Sequence, residues 1–175
     1  MRTRDVIACP ICRISWAPDA AEPPCTDPGH EHLRHEVHLH DDAVVLPDGR
    51  RIRAASFDPA DPYPDSDRPD YGLYLDPHWQ PPWAHNHVLW PDFDVPDDPT
   101  PLRDALGQLL RHVDDGEVSQ LGCLGGHGRT GTALACTAVL LGVQPDTAVA
   151  WVRRSYCAAA VETDAQQEFV ERFRR

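Results

Sequence analysis

Lysine is absent. All 16 basic side chains of the 175-residue chain are arginine, set against 28 carboxylates, and the formal net charge is −12. A chain this acidic, with no basic cluster, excludes the phosphate-backbone grip of a nucleic-acid binder and adhesion to an anionic membrane. The expected partners therefore include neither nucleic acid nor membrane. Also missing is any apolar run of the roughly 20 residues that a bilayer span requires. The opening M-R-T-R-D-V-I-A-C-P lacks the apolar stretch of a secretory signal, so a cytoplasmic location is the expectation. Arginine in place of lysine, with abundant alanine, proline and aspartate, is the composition a GC-rich bacterial genome imposes. Six cysteines in such a chain read as thiols, metal ligands or a nucleophile before they read as disulfides.

What is present divides the chain by texture. Its length suits a single domain spanning 1–175. Residues 1–40 form an irregular extension carrying Cys9, Cys12, Cys25 and His30 among prolines and aspartates. Cys9-Pro-Ile-Cys12 is a knuckle of the kind zinc favours, and Cys25 with His30 completes a four-ligand set for a structural zinc. His32, His35, His38 and His40 compete for the histidine position. The stretch 44–56 reads as a hairpin turning at Pro47-Asp48-Gly49, 58–70 as a proline-rich loop, and 71–75 as a short strand. H-V-L-W, 87–90, reads as a brief strand ending at Pro91. Thr100 is expected to cap a helix with Pro101 at its first position, which carries Leu102, Leu106, Leu109, Leu110 and Val113 at helical spacing as far as Gly116. Residues 117–123 suit a strand, and 130–142, apolar nearly all round, a buried helix. Two further helices, over 145–156 and 163–173, complete an alternation that predicts an α/β fold. Cys136 and Cys157 fall in apolar helical settings and read as packing residues.

The informative stretch is C-L-G-G-H-G-R-T-G, residues 123–131, at the passage from strand to helix. One glycine suffices for such a turn; three demand a reason. A glycine-rich turn lets successive N–H groups converge, and the helix N-terminus adds its positive dipole end, so the loop is built for an anion. Arg129 stands where its planar fork can take two oxygens of one phosphate. The same fields are expected to lower the Cys123 pKa and hold a thiolate. Leu124, Gly125, Gly126, His127, Gly128 and Arg129 would then line the phosphate site, with Cys123 the nucleophile. A nucleotide-binding loop is excluded, because that motif needs glycine at 123 and lysine at 129.

The string resembles the phosphate loop of the protein tyrosine phosphatase superfamily: cysteine, five residues, arginine, then serine or threonine. The resemblance covers roughly 70–175 and implies a central mixed sheet flanked by helices, and a cysteine-dependent phosphatase that needs no catalytic cofactor. W-P-D-F-D-V-P, 90–96, resembles the family's general-acid loop, which puts the acid at Asp92, with Asp94 the local rival. Pro-Asp pairs recur along the chain, so Trp90, Phe93 and Pro96 are what distinguish this one. E-T-D-A-Q-Q-E-F, 162–169, resembles the segment whose glutamine positions the hydrolytic water and points to Gln166. Thr163 and Gln166 also make a capping box, a purely local role. Thr130 matches the hydroxyl that helps the sulfur leave. In one departure, Gly122 stands where the family commonly has histidine, which implies a weaker or more alkaline enzyme. The expected activity is phosphomonoester hydrolysis on a phosphorylated protein, of tyrosine or dual specificity. The alternatives are a small phosphorylated metabolite as substrate, a phosphate-binding module with little turnover, and arsenate reduction or sulfur transfer, which call for no W-P-D upstream.

Overall fold

The computed structural model describes residues 4–9, 14–16, 35–58, 63 and 68–174. Three antiparallel strands, β1 (Arg4–Cys9), β2 (Ile14–Trp16) and β3 (His35–Leu39), form a first sheet in the order β2-β1-β3. Cys9 closes β1; Cys12, Cys25 and His30 lie outside the described residues, and the zinc expectation with them.

The second sheet contains β4 (Asp41–Val45), β5 (Arg51–Ser56), β6 (Tyr71–Tyr74), β7 (Ala84–His87) and β8 (Ser119–Cys123), ordered β4-β5-β8-β6-β7. The expected hairpin is the antiparallel pair β4–β5, whose turn includes Gly49 at φ 92°, a left-handed conformation that suits glycine. The pairs β5–β8, β8–β6 and β6–β7 are parallel. Parallel strands bring their C-terminal ends to one edge, and it is there that such sheets bind ligands. Residues just beyond β5, β6, β7 and β8 therefore meet although they are far apart in sequence. β8 is buried along its whole length, as a central strand must be.

Four helices complete the mixed α/β fold: α1 (Pro99–Asp114), α2 (Gly128–Leu140), α3 (Pro145–Ser155) and α4 (Asp164–Arg172). α1 buries Leu102, Ala105, Leu106, Leu109 and Leu110, a stripe at the predicted spacing. α2 is buried from Gly128 to Val139 and packs against α3 and α4, which accounts for its lack of a polar face. Among the described residues no helix is long and apolar enough to cross a membrane. Two of the boundaries that differ from expectation have a clear physical cause. Asp98, not Thr100, caps α1: its carboxylate accepts the Thr100 N–H at 2.8 Å, and Thr100 lies inside the first turn. The strand expected at 87–90 is β7 at Ala84–His87, because pairing with β6 in the register Tyr71↔Ala84 outweighs the local apolar run.

The fold also shows why position 122 carries no histidine. A Cβ there would lie 3.0 Å from Ala55 O and 3.1 Å from the ring of Trp79, which is itself 3% exposed. Trp79 packs with Ala55 and Tyr74 in the space a larger residue would need. Gly122→His should therefore overpack this corner at a cost of about 1–3 kcal/mol, read as a melting temperature several degrees lower, and should not raise any activity.

Candidate active site

β8 delivers Cys123 to the edge of the sheet, and α2 begins five residues later at Gly128. In the turn between them Gly126 adopts φ 78°, open to glycine at little cost, and its N–H donates to Cys123 Sγ at 3.3 Å. Thr130, in the first turn of α2, donates its hydroxyl to the same sulfur at 3.0 Å. Gly128 is required by close approach, since a Cβ would run into Glu162 Oε2 and lie 3.0 Å from Gln166 Nε2.

Arg129, 3% exposed, is the hub. Its Nη2 donates to Asp76 Oδ2 at 2.8 Å and lies 3.3 Å from Asp92 Oδ1. Its Nη1 donates to the carbonyls of Leu75 and Trp90 at 3.2 and 3.3 Å. One guanidinium thus ties the end of β6 and the segment after β7 to the phosphate loop. Nε has no partner among the described residues, and a buried donor left open in a ligand-free site is what an incoming oxyanion would take.

Asp76 was not singled out in the sequence; its only signal is its place just after an apolar strand. His78 donates to its Oδ1 through the backbone N–H at 2.9 Å and approaches it with Nδ1. Burial pushes the Asp76 carboxyl up, but the His78 N–H, the His78 ring and the Arg129 charge outweigh it and hold it below the usual carboxylate range.

For Cys123 the balance runs the other way. Burial raises the thiol pKa more than Arg129, the Thr130 hydroxyl and the Gly126 N–H lower it. This corrects the expected lowering, and the geometry supplies a reason: Asp76 and Asp92 already answer much of the Arg129 charge.

Asp92 is exposed at the mouth of a cleft of about 580 Å³ bordered by Asp76, His78, Leu89, Leu124 and Arg129. Asp94 turns its carboxylate to the Val95 N–H at 2.9 Å. Phe93 between them is in the left-handed region at φ 62° and 59% exposed. The segment rests on the start of α4, where the Thr163 hydroxyl donates to Phe93 O at 3.2 Å and Gln166 Nε2 donates to Asp94 O at 3.4 Å. Thr163 also caps α4, accepting the Gln166 N–H at 3.2 Å. Gln166 is fully buried, and its Oε1 accepts the Glu162 N–H at 2.8 Å.

Glu162 is the second residue the sequence reading passed over. The residue as a whole is exposed, but its carboxyl turns in against Gly128. Burial of that end and the neighbouring Asp92 raise its pKa, against the Gly128 N–H and Arg129. Cys136 is buried within α2, as its setting suggested, whereas Cys157, also buried, lies past the end of α3 and accepts the Ala159 N–H at 3.4 Å. His127 points away from the cleft, its ring stacked edge-on to that of His40.

The comparisons with known proteins agree with this arrangement. Residues 82–172 match the family PTP-SAK, "Swiss Army Knife protein, DSP-PTPase phosphatase domain". An uncharacterized protein of the archaeon Methanocaldococcus jannaschii is 35% identical over 130 residues, covering 68% of this chain and 85% of its own length. Among solved structures, Tk-PTP in its active form is 26% identical with a TM-score of 0.53, covering 59% of this chain and 77% of that one. Kinase associated phosphatase, solved with serine in place of its catalytic cysteine, superposes with a TM-score of 0.63 over 78% of this chain and 93% of its own; at 15% identity it attests the fold. By the family match, and with the cysteine, arginine and sheet in their places, this chain belongs to the dual-specificity, protein-tyrosine-phosphatase-type domains of the PTP-SAK family.

Proposed function

We propose that the domain hydrolyses phosphomonoesters through a phosphocysteine intermediate. The observation that carries this reading is that Arg129 and Asp92 border one small cleft together with Leu124, the residue that follows Cys123 in the phosphate loop, while the Cys123 sulfur accepts from Thr130 and Gly126 of the same loop. In the first step the Cys123 thiol passes its proton to the incoming phosphate dianion, the sulfur attacks phosphorus as the thiolate, the ester P–O bond breaks, and Asp92 gives its proton to the departing oxygen. Arg129 and the loop N–H groups hold the equatorial oxygens throughout. In the second step a water attacks, the P–S bond breaks, Asp92 takes the water's proton, and the sulfur leaves as thiolate towards the Thr130 hydroxyl and the Gly126 N–H.

Both ends of the Gln166 amide are spent on backbone. It acts here by holding Glu162 and the acid loop in place, with the Glu162 carboxyl turned against Gly128 of the phosphate loop. Of the cleft-lining residues Arg129 is the only arginine, and Asp76 and Asp92 stand beside it. That charge pattern suits an ester bearing one phosphate, on a protein side chain or a small molecule, over a polyphosphorylated substrate.

The test is turnover of p-nitrophenyl phosphate by the purified protein, followed by a panel of phosphotyrosine and phosphoserine peptides and small monoesters. Phosphate release with an acid-trapped phosphocysteine supports the reading. Tight binding of tungstate without turnover would leave a phosphate-binding module in its place.

A further inference from the structure

The phosphate loop is also gripped from behind, by side chains that play no part in the chemistry above. His40, between β3 and β4, is 3% exposed. Its Nδ1 lies 2.7 Å from Asp42 Oδ2, and its Nε2 lies 3.1 Å from His127 Nε2. Its backbone N–H donates to Ser56 Oγ at 2.8 Å, and the Ser56 hydroxyl donates in turn to Gly125 O at 3.0 Å. The Tyr156 hydroxyl donates to Gly126 O at 2.7 Å, and the Tyr156 ring lies 4.6 Å from that of His40. Burial raises the Tyr156 pKa far above its ordinary value, with the nearby Cys123 adding to the effect, so its hydroxyl stays a donor. Residues 125, 126 and 127 are thus each held by a buried side chain from another part of the chain.

We propose that Asp42, His40 and His127 form a hydrogen-bond chain of fixed direction that positions the outer turn of the phosphate loop, with Ser56 and Tyr156 beside it, in a protein whose position 122 has no room for a histidine. In a trans peptide the C=O and the following N–H point in opposite directions. Pinning the carbonyls of Gly125 and Gly126 backwards therefore turns the N–H groups of Gly126 and His127 forwards, and that of Gly126 indeed faces the Cys123 sulfur.

The direction of the chain follows from hydrogen-bond bookkeeping. Asp42 as a carboxylate only accepts, so Nδ1 of His40 carries a proton, and in a neutral His40 Nε2 is left with a lone pair. His127 must then offer an Nε2–H. The other oxygen of Asp42 has no partner among the described residues, so no second donor competes for the carboxylate.

Cys157 adds a sulfur to the same cluster: its ligand atom and those of His40 and His127 lie within 4.8 Å of one another. Two imidazole nitrogens this close could also share a metal ion, but only three ligand atoms gather here among the described residues, where a closed structural zinc site has four. The hydrogen-bond chain is the reading this geometry favours.

Asp42→Asn keeps the shape and can reverse the polarity. The asparagine N–H would donate to Nδ1 of His40, Nε2 would become a donor, and it would face the donor on His127. Expected is a loss of about tenfold in tungstate affinity, from one hydrogen bond's worth of misplacement, and of roughly 10²-fold in kcat/KM, with little change in melting temperature. Glutamine at 127 can present either its oxygen or its N–H to His40. In the double variant Asp42→Asn/His127→Gln, tungstate affinity should return to within a few-fold of that of His127→Gln alone, a coupling a bystander pair would not show.

Unchanged tungstate binding in both Asp42→Asn and Asp42→Leu, the second of which cannot accept from His40 whichever way its side chain turns, would overturn the proposal. So would a fall in binding that His127→Gln leaves uncorrected, or a stoichiometric bound metal in the purified protein that His127→Gln releases. The proposal rests on the phosphatase reading for its kcat/KM arm alone. A wild type that hydrolyses nothing, yet binds tungstate with the predicted coupling, would sink that reading and support this one.

Discussion

Cys123→Ser will turn over no measurable p-nitrophenyl phosphate, a fall on the order of 10⁴ or more, while still binding tungstate. The two halves of this result have separate causes. Turnover goes because an alcohol holds its proton far more tightly than a thiol, and the one hydroxyl at 3.0 Å and one N–H at 3.3 Å around position 123, already outweighed by burial for the thiol, are far too few for a buried alkoxide. Binding stays because the oxyanion is held by Arg129 and the loop N–H groups, which the substitution does not touch. The measurement is steady-state turnover beside calorimetric titration with tungstate. Residual hydrolysis in Cys123→Ser above that of a buffer blank would mean that sulfur is not the nucleophile.

Asp92→Asn should slow turnover by on the order of 10²–10⁴, and unevenly. A general acid matters most where the departing oxygen is most basic. p-Nitrophenolate leaves with little help, whereas a serine-type alkoxide needs the proton nearly in full. The loss should therefore be several-fold greater on phosphoserine substrates than on p-nitrophenyl phosphate. Asp94→Asn is the control, since Asp92 and not Asp94 borders the cleft and lies 3.3 Å from Arg129 Nη2. If Asp94→Asn is crippled and Asp92→Asn is not, the acid has been misplaced by two residues.

The phosphate loop was legible in the sequence because its chemistry is local. Cys123, Gly126, Gly128, Arg129 and Thr130 fall within eight consecutive positions, and each type is constrained by the turn or by the anion. Asp76, Glu162 and the pair His40–Asp42 were not legible in that way. They reach the loop only because β4, β6 and the segment before α4 are brought to it by the strand order β4-β5-β8-β6-β7, which no spacing along the chain encodes. The Cys123 thiol shows the same limit. Its neighbours in sequence revealed the pulls that lower its pKa, but the opposing burial is a property of the folded site. At Asp98 and Thr100 the sequence D-P-T-P offered two good caps, each followed by proline, and local chemistry does not choose between them.

The loop that carries Asp92 is held in a poised way. Phe93 sits in a backbone conformation that costs a non-glycine residue about 1–3 kcal/mol, with its ring in solvent and contributing little burial to offset the strain. The bonds that hold the loop down are long, 3.2 Å from Thr163 and 3.4 Å from Gln166. A segment held to α4 in this way is expected to leave the cleft readily. Inorganic phosphate would then leave quickly, and the tempo of the cycle would be set by how fast the P–S bond is broken, so that added viscogen should leave kcat nearly unchanged.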